Sequence, residues 1–171
     1  FIKTYEETLA MVKEVEQLTI NPADYAYEIT KTGKRDNSVE NDRIHRQKQE
    51  GLYYVEYHPA GGDANVEHLL AALDYAVTLD QVEARIAPDQ ALFFINLTAD
   101  EARKIVELTD DSAENDFRRS VSCVGSTVCQ IGMQDSNGLL KDIFAHLKEK
   151  GIDTSKLPRL HISGCPHSCG T

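Results

Sequence analysis

Two pairs of cysteines constrain this chain more than any other feature. Cys123 and Cys129 lie in "CVGSTVC", Cys165 and Cys169 in "GCPHSCGT", and 35 residues separate the pairs. Each pair begins at or just past a stretch that reads as a strand, "RSVSC" before the first and "RLHIS" before the second. Between them Leu139, Leu140, Ile143, Phe144 and Leu147 recur at helical spacing, and Lys148, Lys150 and Gly151 suit the end of that helix. A strand, a long crossover and a second strand imply a parallel, right-handed pair, which delivers both strand ends to the same sheet edge. Four thiols from two distant stretches are then expected to converge.

Three chemistries compete for such a set. Two disulfides are one; against them, the chain shows no secretory signal, and 171 residues can bury roughly 70% of the unfolded surface without staples. A structural zinc is the second, and its usual pairs are spaced C-x2-C to C-x4-C, which admits Cys165 and Cys169 but suits Cys123 and Cys129 poorly. An iron–sulfur cluster is the third. It needs four thiolates with small residues nearby, so that backbone amides can approach sulfur, and Gly125, Ser126, Gly164, Ser168 and Gly170 meet that demand. On spacing and placement the cluster leads, with the other two still open.

Upstream, the chain reads as two further segments. Residues 1–49 hold an amphipathic helix with Tyr5, Leu9, Val12 and Val15 on one face, then the polar stretch "KTGKRDNSVENDRIHRQKQ", which reads as a linker. Residues 50–111 open with the strand "LYYVEYH", in which Tyr53, Tyr54 and Tyr57 alternate between core and surface. A Gly61-Gly62 turn follows; it lacks a dinucleotide fingerprint and reads as an ordinary turn. Next comes a helix on Val66, Leu69, Leu70, Leu73 and Val77, capped near Asp63 or Asn65, whose leucine-rich face is expected to be core. Strands "EARIA" and "ALFFINL" flank a Pro88-Asp89 turn, and the capping box "TADE" from Thr98 to Glu101 starts a helix with Ala102, Ile105 and Val106 inward. The predicted class is α+β: a ferredoxin-like half-domain, ordered strand-helix-strand-strand-helix, followed over residues 112–171 by the start of an α/β cluster-binding domain.

Composition excludes several roles. With 28 acidic against 18 basic residues the formal charge is -10, which argues against a nucleic-acid partner, since phosphate contacts depend on clustered Lys and Arg. No apolar run is long enough to cross a bilayer, and the opening residues have neither a signal-peptide core nor a transit-peptide composition, so a cytoplasmic location is expected. His45, His58, His68, His146 and His161 show no metal-binding helical spacing and are expected to be structural or solvated. Arg43, Arg46 and Lys48 form a small basic group read as a solvated face, with contact to cofactor carboxylates the lesser alternative.

The combination C-x5-C, then about three dozen residues, then G-C-P-x-x-C-G resembles the signature of the sirohaem-containing nitrite and sulfite reductases. "QKQEGLYYVEYHPAGG" is similar to the opening of the ferredoxin-like half-domain that precedes it in that family, and the match covers roughly residues 47–171. The resemblance implies that Cys123, Cys129, Cys165 and Cys169 hold a 4Fe-4S cluster, with Cys169 also bridging to the sirohaem iron. It implies reduction of nitrite to ammonia or sulfite to sulfide, a small anionic substrate, and an electron donor such as ferredoxin or a flavoprotein. His167, a cofactor-binding candidate by this resemblance, stands where the family often carries Asn, so its side-chain contact to the sirohaem is expected to differ; the alternative is an ordinary loop histidine. In the family the residues gripping substrate lie largely in an earlier, pseudo-symmetric half, so the chain is expected to be a fragment needing the remainder of the same polypeptide. Its metal loop is then expected to be less secure than the segment 50–111. The rival expectation is a non-catalytic four-cysteine module serving structure or electron transfer alone.

Overall fold

The computed structural model describes residues 2–16, 28–39 and 41–170 and divides into two units, Phe1–Thr30 and Lys31–Thr171. The first contributes helix α1 (Ile2–Glu16). Of its expected apolar stripe Leu9 is half-buried and Tyr5 exposed, while the side chains of Val12 and Val15 lie outside the described residues. Among the described residues no helix is long and apolar enough to cross a membrane.

The second unit is built on a four-stranded antiparallel sheet. Strand β1 (Ile44–Arg46), β2 (Tyr53–Tyr57), β3 (Glu83–Ile86) and β4 (Leu92–Leu97) lie in the order β1-β2-β4-β3. Alternation on β2 puts Tyr53, Val55 and Tyr57 on the buried face and leaves Tyr54 and Glu56 half-buried, as the period of two requires. Helices α2 (Val66–Val77) and α3 (Ala99–Leu108) cover that face. Their contact residues are small, Ala72, Ala76 and Ala102, so the helices approach Phe94, Leu97 and Val55 closely. Asn65 caps α2 by accepting from the Glu67 amide, and Thr98 with Glu101 forms the expected capping box on α3.

Residues 31–49 depart from two expectations. The polar stretch 31–49 is no linker: its residues 44–46 are β1, in register with β2 from Ile44↔Val55 to Arg46↔Tyr53, and Lys31 bonds Glu101 at 2.8 Å. Arg43, expected on a solvated face, turns inward instead. Its guanidinium donates to the carbonyls of Glu56 at 3.0 Å and Thr109 at 2.8 Å and to the Thr109 hydroxyl, and burial lowers its pKa. Gln47 makes a reciprocal pair with Asn96: its Oε1 accepts from the Asn96 amide at 2.6 Å and its Nε2 donates to Asn96 Oδ1 at 3.1 Å. Asn96 is fully buried at φ 64°, where the β2–β4 register slips, so this polar segment satisfies a strained bulge that would otherwise orphan its backbone. Polarity misled because these side chains bind backbone groups and leave no apolar period.

The leucine face of α2 is likewise only partly core. Leu69 and Leu73 pack on the sheet, whereas Val66, Leu70 and Val77 are exposed because Ala72 and Ala76 occupy the innermost positions.

The last elements are β5 (Val121–Ser122), α4 (Ser136–Glu149) and β6 (His161–Ile162), with β5 and β6 parallel as the crossover requires. Gly151, at φ 61°, donates to the Lys148 carbonyl just past α4. Replacing Arg43 with Leu, which leaves the Glu56 and Thr109 carbonyls without their donor, is expected to lower stability by about 3 kcal/mol. A urea denaturation midpoint shifted well below wild type with unchanged m-value checks it.

Candidate metal centre

The parallel pairing Val121↔His161 and Ser122↔Ile162 sets the geometry of the cysteines. One step beyond β5, the Cys123 amide still donates to the Ile162 carbonyl at 3.0 Å, so Cys123 sits directly at the ladder's end. The chain then folds back on itself. Gly125 takes φ 68°, the Cys129 amide donates to the Gly125 carbonyl at 2.9 Å, Gly132 donates to the Cys129 carbonyl at 3.0 Å, and Ser126 donates to the Gln134 carbonyl at 2.9 Å. The C-x5-C segment is therefore a closed loop with fixed ends.

Gly164 joins that loop to the second pair. Its carbonyl accepts from the Met133 amide at 3.1 Å and the Gln134 amide at 3.0 Å, and its own amide donates to Cys123 Sγ at 3.2 Å. The residue that precedes Cys165 thus touches the sulfur of Cys123. Ser136, first residue of α4, sets its hydroxyl 2.9 Å from the same sulfur and 2.9 Å from the Cys123 carbonyl. These two partners, Ser136 first and then the Gly164 amide, pull the Cys123 thiol below its usual pKa. The turn after β6 returns to it: Ser168 has φ 56°, Gly170 donates to Ser163 Oγ at 2.9 Å, and His161 Nδ1 lies 3.1 Å from the Gly170 carbonyl. Cys169 lines a small cavity of about 150 Å³ with Asp89, Gln90, Val121 and His161.

All four cysteines are free thiols, three half-buried and Cys169 exposed; His167 is exposed as well. No three cysteine sulfurs lie within 4.8 Å of one another. Among the described residues the one set of three metal-capable side chains that close is His68 with Asp110 and Asp111, whose Nδ1 sits 2.9 and 3.3 Å from the two carboxylates. Asp111 is also held by the Tyr57 hydroxyl at 2.8 Å, which makes the trio a polar clasp between α2 and the end of α3. His45 stacks on Tyr54, and His58 is buried with Nδ1 3.1 Å from the Pro59 carbonyl. Of the basic group, Arg46 and Lys48 face an open pocket of about 370 Å³ that Arg35 also lines. Sequence reasoning passed over Ser136, whose role depends on a contact 13 residues away that no local pattern encodes.

No protein-family model matches the chain. It is 30% identical over 132 residues to the ferredoxin–nitrite reductase of Synechococcus elongatus, covering 74% of this chain and 26% of that protein. It is 25% identical over 155 residues to the NAD(P)H nitrite reductase of Bacillus subtilis, covering 88% of this chain and 18% of that protein. Bacterial NADPH sulfite reductase hemoprotein beta-components also match. Among solved structures the fold matches the NirA protein of Mycobacterium tuberculosis with a TM-score of 0.61 at 22% identity, over 74% of this chain and 25% of that one. The chain thus spans about a quarter or less of the length of these relatives.

Several glycines in the centre are closed to side chains. A Cβ on Gly164 would stand 2.5 Å from the Gln134 carbonyl oxygen, and one on Gly125 would stand 2.7 Å from the Ser136 amide while also requiring a left-handed backbone. Gly151, equally left-handed, has nothing within 4 Å of such a Cβ. Gly151→Ala should therefore cost only about 1 kcal/mol, and Gly125→Ala clearly more, since the clash adds to the same backbone penalty. Thermal unfolding of the two variants side by side checks the order.

Proposed function

We propose that this chain, which belongs with the nitrite and sulfite reductases, is the portion of a sirohaem and iron–sulfur oxidoreductase that holds the cluster. In this reading Cys123, Cys129, Cys165 and Cys169 would hold a 4Fe-4S cluster, and Cys169, the exposed member, would also serve the sirohaem iron. The observation that carries it is the bond from the Gly164 amide to Cys123 Sγ, which sets the start of the second pair against the first.

The chain's own residues do the following. The Gly164 amide and the Ser136 hydroxyl donate toward Cys123 Sγ, which stabilises the thiolate form that a metal needs. Gly125 and Gly164 keep the loop backbone close enough for those contacts, where any Cβ would force it apart. Ser163 and His161 tether Gly170 and so restrain Cys169 beside β6. His167 is exposed on the same turn and would be available to a sirohaem held beside Cys169. When bound, the two cofactors supply single electrons stepwise to nitrite or sulfite, yielding ammonia or sulfide.

Residues 50–111 serve as the ferredoxin-like half-domain and 112–171 as part of the cluster and sirohaem domain, with 1–49 leading into them. The remainder of the polypeptide supplies most of the cationic pocket for the sirohaem carboxylates and the anionic substrate. Of this chain's bases Arg43 is spent on carbonyls, and Arg35, Arg46 and Lys48 line an open pocket. Electrons come from ferredoxin or a flavoprotein, and the setting is the cytoplasm.

Anaerobic reconstitution of the full-length polypeptide with iron and sulfide is expected to give a brown protein with about four iron and four sulfide per chain. Sirohaem uptake by the same preparation separates a reductase from a module that only stores or passes electrons. A colourless protein that takes up zinc alone sinks the cluster assignment.

A further inference from the structure

We propose that Ser136 is a positioning residue for the iron–sulfur cluster: its hydroxyl proton turns from the Cys123 carbonyl to the Cys123 sulfur when that sulfur binds iron, and this makes the cluster easier to reduce. The inference rests on the assignment of Cys123 as a cluster ligand.

Ser136 is only 2% exposed, so its hydroxyl has no water to lean on. Its oxygen stands 2.9 Å from Cys123 Sγ and 2.9 Å from the Cys123 carbonyl oxygen, yet it carries a single proton. With Cys123 a thiol, every group is satisfied at once: S–H donates to Oγ, and O–H donates to the carbonyl. Iron binding removes the thiol proton. The sulfur becomes an acceptor with negative charge, and Oγ loses its donor. The hydroxyl proton then has two acceptors to choose between, a neutral carbonyl and an anionic sulfur at the same distance. A hydrogen bond to a charged partner is roughly twice as strong as one between neutral groups, so the sulfur wins.

The Gly164 amide, 3.2 Å from the same sulfur, already donates from the other chain stretch and cannot be varied by a side chain. Ser136 is therefore the adjustable donor. Reduction adds one electron to the cluster, breaks no bond and moves no proton; the added negative charge spreads onto the sulfurs. Donors aimed at a ligand sulfur stabilise the reduced form more than the oxidised one and raise the potential. A second consequence concerns geometry. Ser136 opens α4, and α4 is the crossover between the two cysteine pairs, so the hydroxyl fixes the start of that helix against the first ligand.

The test compares full-length wild-type protein with Ser136→Ala and Ser136→Thr, all reconstituted anaerobically, by dithionite titration with the EPR signal of the reduced cluster as readout. With iron content unchanged, Ser136→Ala is expected to lower the equilibrium constant of the one-electron reduction about tenfold, a shift of ~59 mV to more negative potential. Ser136→Thr, which keeps the hydroxyl, should titrate with wild type. Should the alanine variant fail to fold, Ser136→Cys, near in size but a weaker donor, should shift in the same direction by less. Equal potentials in all variants, with clusters intact, would mean the proton stays on the carbonyl; the inference then falls and the cluster assignment stands. Wild-type protein that assembles no cluster overturns both.

Discussion

Two residues of parallel ladder, Val121 and Ser122 against His161 and Ile162, hold the cysteine region together. Such a pairing is too short to persist by itself, and its surroundings explain why it does not have to. Leu140 of α4 is buried, Phe117 meets Phe144 edge-on at 5.6 Å, and Arg118 lies 4.3 Å above the Phe144 ring. The turn at Ala60–Gly62 ties this layer to the antiparallel sheet: the Gly61 amide donates to the Arg118 carbonyl at 3.2 Å, and a Cβ there would press on Phe144 and Leu140. With the ladder in place the Cys123 sulfur meets the Gly164 amide without further adjustment.

Much of this was readable from residue order, and the reasons are local. The capping box at Thr98, the Asn65 cap, the alternation Tyr53-Val55-Tyr57 and the helix stop at Gly151 each depend on neighbours within a few positions. The parallel pairing of β5 with β6, which brings Gly164 against Cys123, followed from a topological rule that needs only the order of strand, helix and strand. What escaped was polar and long-range. Arg43 reaches Thr109 across 66 positions, Gln47 reaches Asn96 across 49, and both were hidden inside a stretch whose composition reads as linker. A side chain that completes another segment's backbone leaves no period to detect, and Ser136 belongs to the same class.

The residues here suit some chemistry better than other. The proposed sulfur ligation is well prepared: a thiol lowered by a hydroxyl and an amide, glycines that admit no side chain, and a final turn tethered to β6. Anion binding is less prepared, because a chain of charge -10 commits the inward-turned Arg43 guanidinium to carbonyl oxygens. Similarity to nitrite and sulfite reductases, over about a quarter or less of their length, agrees with the proposed division in which this portion would hold the electron store and the remainder the cationic pocket.

Convergence of both cysteine pairs on one metal group is the central claim, and differential alkylation reads it directly. Full-length protein loaded anaerobically with iron and sulfide is treated with iodoacetamide, then unloaded, labelled with a second reagent and mapped by mass spectrometry. Cys123, Cys129, Cys165 and Cys169 should all be protected together in the loaded protein and all be reactive in the unloaded one. Protection confined to one pair, with the other alkylated at full rate while iron remains bound, would contradict it.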